Sequence, residues 1–212
     1  AEADYLLHRF SDPTFLTVEG LLSALAPLQA NSPAPFIDVC SGAGHITRAL
    51  GRHSPAGGTV AADLSFWKLW LATRFVAPDC QAVCCDGNHP LPFERESAAM
   101  VVLADAFPYI WHKRLLAGEM MRIACPGSFI VMPHLHSSLN YNFSAGDTLT
   151  PSSYCGLFAP VRARLFSDAR LRDDVIERHV VDLGADLSPE EVGDEPSFTL
   201  ITQAPGATEQ AS

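Results

Sequence analysis

A doubly wound α/β domain, with a mostly parallel sheet and helices on both faces, is the architecture this sequence predicts. Three observations lead there. Short apolar runs alternate with segments of helical spacing along most of the chain. An acid followed by a glycine turn, Asp38-Val39-Cys40-Ser41-Gly42-Ala43-Gly44, separates the first such run from the first such helix. Residues 98–104 form an unbroken apolar run, the pattern of a strand buried on both faces of a parallel sheet.

Residues 1–13 read as a leader that ends at Ser11-Asp12-Pro13. Over 14–28, Leu21, Leu22, Leu25 and Leu28 make an apolar stripe that predicts a helix covering the core. Asn31-Ser32-Pro33-Ala34-Pro35 breaks that helix and delivers the chain into a first strand at Phe36. After the glycine turn, Ile46, Ala49 and Leu50 fall three and four apart, on one helical face. Thr59-Val60-Ala61-Ala62-Asp63 is a second buried strand ending in an acid, and 64–76 is a second helix. Its Trp67 and Trp70, together with Trp111, are expected to pack into the core. Strand three spans 80–85 and ends at Asp86-Gly87; strand four is the run 98–104.

A helix over 115–123 stops at Cys125-Pro126-Gly127, before strand five at Phe129-Ile130-Val131-Met132. Residues 137–150 are polar and read as a long loop, either a lid or a mobile segment. A short helix starts at Pro151. The runs 175–183 and 198–202 predict two last strands, antiparallel at the sheet edge, and 204–212 is a polar tail expected to be mobile.

Composition narrows the function. The 212 residues are enough for one domain with a sizeable core, and 48% of them are apolar, which excludes a disordered chain. A net charge of −10 disfavours an extended nucleic-acid surface, which needs a basic patch, and no apolar run is long enough for a membrane helix. The six cysteines contain no C-x-x-C pair, so they are expected to be reduced, buried small hydrophobes of a cytoplasmic protein. No metal site is expected either. His134 and His136 would share a strand face, but the sequence offers no third ligand nearby.

Asp38, Asp63 and Asp86 all fall at strand ends, where open α/β sheets bind their ligands. Asp63 lies nineteen residues after Gly44, the placement that lets an acid accept hydrogen bonds from both hydroxyls of a ribose. The turn is not the dinucleotide fingerprint, because Thr47 occupies the position of its third glycine.

These motifs together resemble the class I, Rossmann-like S-adenosylmethionine-dependent methyltransferases. The usual first motif is D-x-G-x-G-x-G; here Cys40 stands at the first glycine, and Gly42 and Gly44 hold the others. Asp63-Leu64-Ser65 looks like the second motif. Cys85-Asp86-Gly87 with Leu91-Pro92-Phe93 resembles the third, whose acid bonds the adenine amino group. The stretch 116–123 leading to Pro126-Gly127-Ser128 is similar to the helix and turn before strand five, with Ser128 in place of the last glycine. The likeness covers about 34–132. It implies S-adenosylmethionine as cofactor, held by Asp38, Ser41, Gly42, Gly44, Asp63, Leu64, Asp86, Gly87 and Ala104.

The acceptor side of that family follows strands four and five. This puts Asp105 and His134 forward as catalytic residues, with Tyr109, His112 and His136 as neighbours. Asp105-Ala106-Phe107-Pro108-Tyr109 is one residue too long for the D-P-P-Y signature of amino-methylating enzymes and reads instead as a loop with a buried aromatic anchor. The resulting expectation is a single domain over 1–212: a covering helix in 1–33, a cofactor core in 34–133, acceptor-side loop and strands in 134–203, and the tail. Its activity would be methyl transfer to a small molecule. A cofactor-binding scaffold without turnover and an NAD(P)-dependent oxidoreductase are the alternatives, and a homodimer or a module of a longer polypeptide both stay open.

Overall fold

The computed structural model describes residues 2–11, 14–29, 31–54, 57–141 and 146–206. The N-terminal stretch expected as a leader is a helix, α1 (Glu2–Ser11), followed by α2 (Thr14–Leu25) and a 3-10 turn at Ala26–Gln29. The chain then alternates strand and helix: β1 (Phe36–Val39), α3 (His45–His53), β2 (Thr59–Asp63), α4 (Phe66–Leu71) and β3 (Gln81–Cys84). It continues through β4 (Ala98–Val102), α5 (Lys113–Ile123) and β5 (Ala124–Leu135). The C-terminal part adds α6 (Pro151–Gly156), β6 (Arg164–Ser167), α7 (Asp168–Arg178) and β7 (Phe198–Gln203).

The seven strands form one sheet in the order β3-β2-β1-β4-β5-β7-β6. β1 to β5 pair in parallel, and β7 runs antiparallel to both β5 and β6. The order reverses between β1 and β4, so the crevice outside the carboxyl ends of those two strands is where a ligand fits.

Alternation along the strands divides the core in two. Ile37, Val101, Ile130 and Leu200 pack with Leu116 and Met120 of α5 and Tyr154 of α6. Phe36, Met100, Val131 and Ile201 face the other way, onto Leu21 and Leu22 of α2, Ile46 and Leu50 of α3, and Leu171 of α7. Adjacent strand residues point to opposite faces, so both faces of β1, β4 and β5 must be apolar.

The expected strand over 175–183 is corrected. Residues 168–178 are α7, and the edge strand is β6, which precedes that helix. Ser167 caps the helix by accepting from the Arg170 amide, Asp168 sits in the positive first turn, and Arg178 in the negative last turn. Of the apolar residues that suggested a strand, Ile176 and Val180 are exposed. Val175 instead fills the notch left by Gly20 of α2, where a Cβ would lie 2.4 Å from its Cγ2.

Three further expectations change. β5 starts directly after α5 and runs through Pro126-Gly127, with Gly127 at φ 77°, and so is longer than 129–132. Trp67, Trp70 and Trp111 are exposed rather than packed, as are Phe66 and Phe75 on the same helical segment. The cysteines are free, but five are half-buried and Cys84 is exposed. The centre of the proposed lid, 142–145, and the end of the tail, 207–212, lie outside the described residues.

Two glycines should respond to alanine with opposite signs. Gly44 has φ 84°, and a Cβ there would approach Ala72 Cβ to 2.7 Å. Gly44→Ala should therefore cost at least about 2 kcal/mol in urea unfolding, from left-handed strain plus overpacking. Gly118 lies exposed inside α5 with nothing within 4 Å of its position. Gly118→Ala should gain roughly 0.5–1 kcal/mol.

Candidate functional site

The turn after β1 is held from three sides. The Ser41 amide donates to Ala62 O (3.0 Å) on β2. The Gly42 amide donates to Asp63 Oδ2 (2.8 Å), while Asp63 Oδ1 accepts from the Ser65 amide (2.8 Å). On the inner side, Thr47 Oγ1 donates to Asp38 Oδ2 at 2.6 Å. Thr47 is fully buried. The residue at the missing third glycine of a dinucleotide fingerprint therefore anchors the turn's own acid.

Cys40, Gly42 and Gly44 all have positive φ, at 59°, 56° and 84°. Cys40 thus keeps the left-handed geometry usually given to glycine, at a cost of roughly 1–2 kcal/mol. Burial, reinforced by the charges of Asp63 and Asp38, pushes the Cys40 thiol up to about 12. A thiol so rarely ionised is no nucleophile.

A cavity of about 410 Å³ opens beside this turn, within the range of small-molecule sites. Of the expected cofactor residues, Ser41, Gly42, Asp63, Leu64, Asp86, Gly87 and Ala104 line it. Asp105 and His134 line it too. Asp38 and Gly44 do not: Asp38 is buried against Thr47, and Gly44 packs on Ala72. Their part in the site is to hold the turn. The buried Ser41 Oγ has no hydrogen-bond partner among the described residues, which leaves a polar atom to be satisfied by a ligand.

Sequence reasoning missed several walls. Phe15 and Val18 of α2 reach the cavity, and the Phe15 ring lies 5.9 Å from His45 at the start of α3, with Phe10 of α1 at 6.2 Å. Asn88 is the other omission. Its backbone and side-chain amides donate to Asp86 Oδ1 (2.8 and 2.9 Å), and they hold that carboxyl below its usual range. Its own Oδ1 accepts from the Trp111 and His112 amides, tying the loop after β3 to the start of α5. Its position two after Asp86 was the available signal.

On the other side of the crevice, the Asp105 amide donates to Pro133 O (3.3 Å), bringing the ends of β4 and β5 together. Asp105 and His134 both have positive φ, 54° and 60°. The pairing of β5 with β7 slips between Met132 and Leu135, which turns His134 out of the regular strand. The His134 and His136 rings then stand 4.8 Å apart, edge to face. One potential ligand atom from each of Asp105, His134 and His136 lies within 4.8 Å of the others. Asp105, three residues past the end of β4, thus joins the two histidines, a grouping that local sequence spacing does not offer.

Asp38 generates a pH prediction. Burial first, and the Asp63 charge after it, raise this carboxyl to about 7, against the pull of the Thr47 hydroxyl. Between about pH 4 and 7 the folded state then holds a proton that the unfolded chain releases, so this group makes stability fall as pH rises. Asp38→Asn removes that loss. Relative to the parent, the variant should gain stability from pH 4 to 8, by up to roughly 4 kcal/mol, as read from denaturant midpoints at each pH. A parallel pair of profiles would refute the buried acid.

Residues 37–132 match the family model described as a methyltransferase domain. No curated protein sequence matches the chain. Among solved structures, it is similar to a chain of the Haloferax volcanii complex between the Trm112 methyltransferase activator and a methyltransferase: 18% identity, TM-score 0.69, 95% of each chain covered. It is also similar to a SAM-dependent methyltransferase from Aquifex aeolicus, with 14% identity, TM-score 0.64, and 94% of this chain and 97% of that one covered. A third is Haemonchus contortus phosphoethanolamine N-methyltransferase 2, solved with phosphomonomethylethanolamine and S-adenosylhomocysteine. It has 12% identity and TM-score 0.58, over 82% of this chain and 49% of that one. The match to the methyltransferase-domain model thus covers residues 37–132, and the chain as a whole has the Rossmann-like fold of the methyltransferase structures it is similar to.

Proposed function

We propose that this protein transfers a methyl group from S-adenosylmethionine to a small-molecule acceptor. The observation that carries the proposal is the cavity at the carboxyl ends of β1 to β4, with acids on two strand ends and, in its wall, a Ser41 hydroxyl unpartnered among the described residues. These residues fit the cofactor. Asp63 spends one lone pair of each oxygen on backbone amides and keeps others for ribose hydroxyls. Asp86, held ionised by Asn88, is an acceptor for an exocyclic amine. The net charge of −10 supports a small acceptor over a nucleic acid. Among the described residues no helix is long and apolar enough to cross a membrane, and we extend the reading to a cytoplasmic enzyme.

S-adenosylmethionine, when bound, supplies a methyl on a positively charged sulfur, which keeps the S–C electron pair as an acceptor lone pair takes the methyl. The chain's task is mainly to hold the acceptor in line and keep water out. Phe15, Val18, Tyr109 and Ile110 supply apolar wall for that. Where the acceptor carries a proton, His134 is the group to receive it, with its Nδ1 turned to Asp168 Oδ2 at 3.3 Å and Thr199 Oγ1 fixing Asp168 Oδ1 at 2.7 Å.

Calorimetric titration with S-adenosylmethionine, S-adenosylhomocysteine and NADH tests the reading. Micromolar binding of the first two and none of the third is expected, with at least tenfold loss in Asp63→Ala. Binding without methyl transfer to any acceptor would favour a scaffold, and NADH binding would favour an oxidoreductase.

A further inference from the structure

We infer that Asp105, His134 and His136 form a binding site for a divalent transition-metal ion of the zinc class, placed to hold an oxygen donor of the methyl acceptor. The inference rests on the proposed methyl transfer only for what the ion does, not for whether it binds.

Three features build the site. The potential ligand atoms lie within 4.8 Å of one another, on three residues that come from two strand ends. Zinc at about 2.0–2.1 Å from nitrogen would set them about 3.3 Å apart, so binding draws them in by up to about 1.5 Å. All three side chains are half-buried and can make that adjustment.

The outer shell is the stronger argument. His136 Nδ1 faces the carbonyl oxygen of Pro196 at 3.0 Å. A carbonyl can only accept, so Nδ1 carries the proton and Nε2 presents a lone pair. His134 Nδ1 faces Asp168 Oδ2, whose other oxygen already accepts from Thr199. That arrangement selects the same tautomer. Imidazoles that bind metals are typically anchored this way, one through a carboxylate and one through a backbone carbonyl. Tyr154 also donates to His136 O at 3.2 Å, fixing the backbone that carries the second imidazole.

Ligand chemistry chooses the ion. Two imidazoles and one carboxylate favour zinc, iron(II) or manganese(II) over magnesium or calcium, which prefer all-oxygen sets. Three protein ligands leave positions open, the mark of a site that binds substrate rather than one that only braces a fold. Asp105 and His134 line the same cavity as Asp63 and Asp86, so an oxygen on the ion would lie on the acceptor side of the cofactor. A hydroxyl bound there loses its proton to water more readily, as metal-bound water does. The ion then takes over the role a free imidazole would have, and it selects acceptors with a hydroxyl or carbonyl oxygen able to coordinate.

The test is titration of chelator-stripped protein with Zn2+, and separately with Co2+ as a spectroscopic probe. One site of micromolar or tighter affinity is expected, with cobalt d–d bands and no thiolate charge-transfer band. His136→Gln and Asp105→Asn should each weaken it at least tenfold, with S-adenosylhomocysteine affinity unchanged in His136→Gln, a residue outside the cavity lining. If His136→Gln fails to fold, Asp105→Asn decides. Unchanged zinc affinity in the variants, or a thiolate signature pointing to Cys84 and its neighbours, overturns the site. Loss of S-adenosylhomocysteine binding in the parent protein would instead remove the methyl-transfer reading and leave the zinc result standing.

Discussion

One carboxylate ties the half of the molecule around the glycine turn together. Asp63 accepts the Gly42 amide through one oxygen and the Ser65 amide through the other. The first bond closes the turn from β1 into α3, and the second opens the way from β2 into α4. Hydrogen bonds to a charged acceptor contribute more than neutral ones, roughly 1.5–3 kcal/mol each. The left-handed run at Cys40, Gly42 and Gly44 needs such an anchor, because a non-glycine residue in it opposes the conformation. The side chain proposed to hold the ribose is therefore also one on which the fold depends.

The site's acids divide into two kinds by environment. Asp38 is sealed beneath the turn, where low polarity favours its neutral form. Asp86 sits at the crevice with an amide pair aimed at it and stays ionised. With Asp63 and Asp105 on the same walls and Lys68 alone among Lys and Arg lining residues, the crevice is negative on balance. Such a field draws in cations and repels free phosphates. The adjoining loop is braced separately: Arg122 donates to Phe93 O and Leu91 O while pairing with Glu119, whose carboxylate accepts the Leu91 amide.

The sequence was most legible where burial is complete. β2 matches its expected bounds and β1 its expected start because each is a short run buried on both faces. The glycine turn and its acids were equally plain, since few residues other than glycine tolerate the needed φ. Legibility failed where periodicity was weak or partners came from afar. α1 lacks a long apolar stripe and was read as a leader, yet its Phe10 packs near His45. The apolar pairs near 175 and 180 mimicked a strand, whereas the Ser167 cap and the charged run after it specify a helix. Trp67, Trp70 and Trp111 misled because a large apolar side chain does not reveal which way it faces. The meeting of Asp105 with His134 and His136 depends on β4 lying beside β5 and on a slip in the β5–β7 register; no local spacing encodes either.

The position of β7 has a consequence for how the chain matures. Although it follows the other described strands in sequence, β7 lies between β5 and β6, and among the described residues β6 pairs with no other strand. During synthesis from the N-terminus, β1 to β5 can assemble as soon as residue 135 has emerged, but one flank of β5 stays open. Some sixty residues must follow before Phe198 to Gln203 can close it. Through that interval β6 is an unpaired strand and Val131, Met132 and Leu135 lack their cross-strand cover, so the nascent chain stays adhesive until residue 203 has emerged.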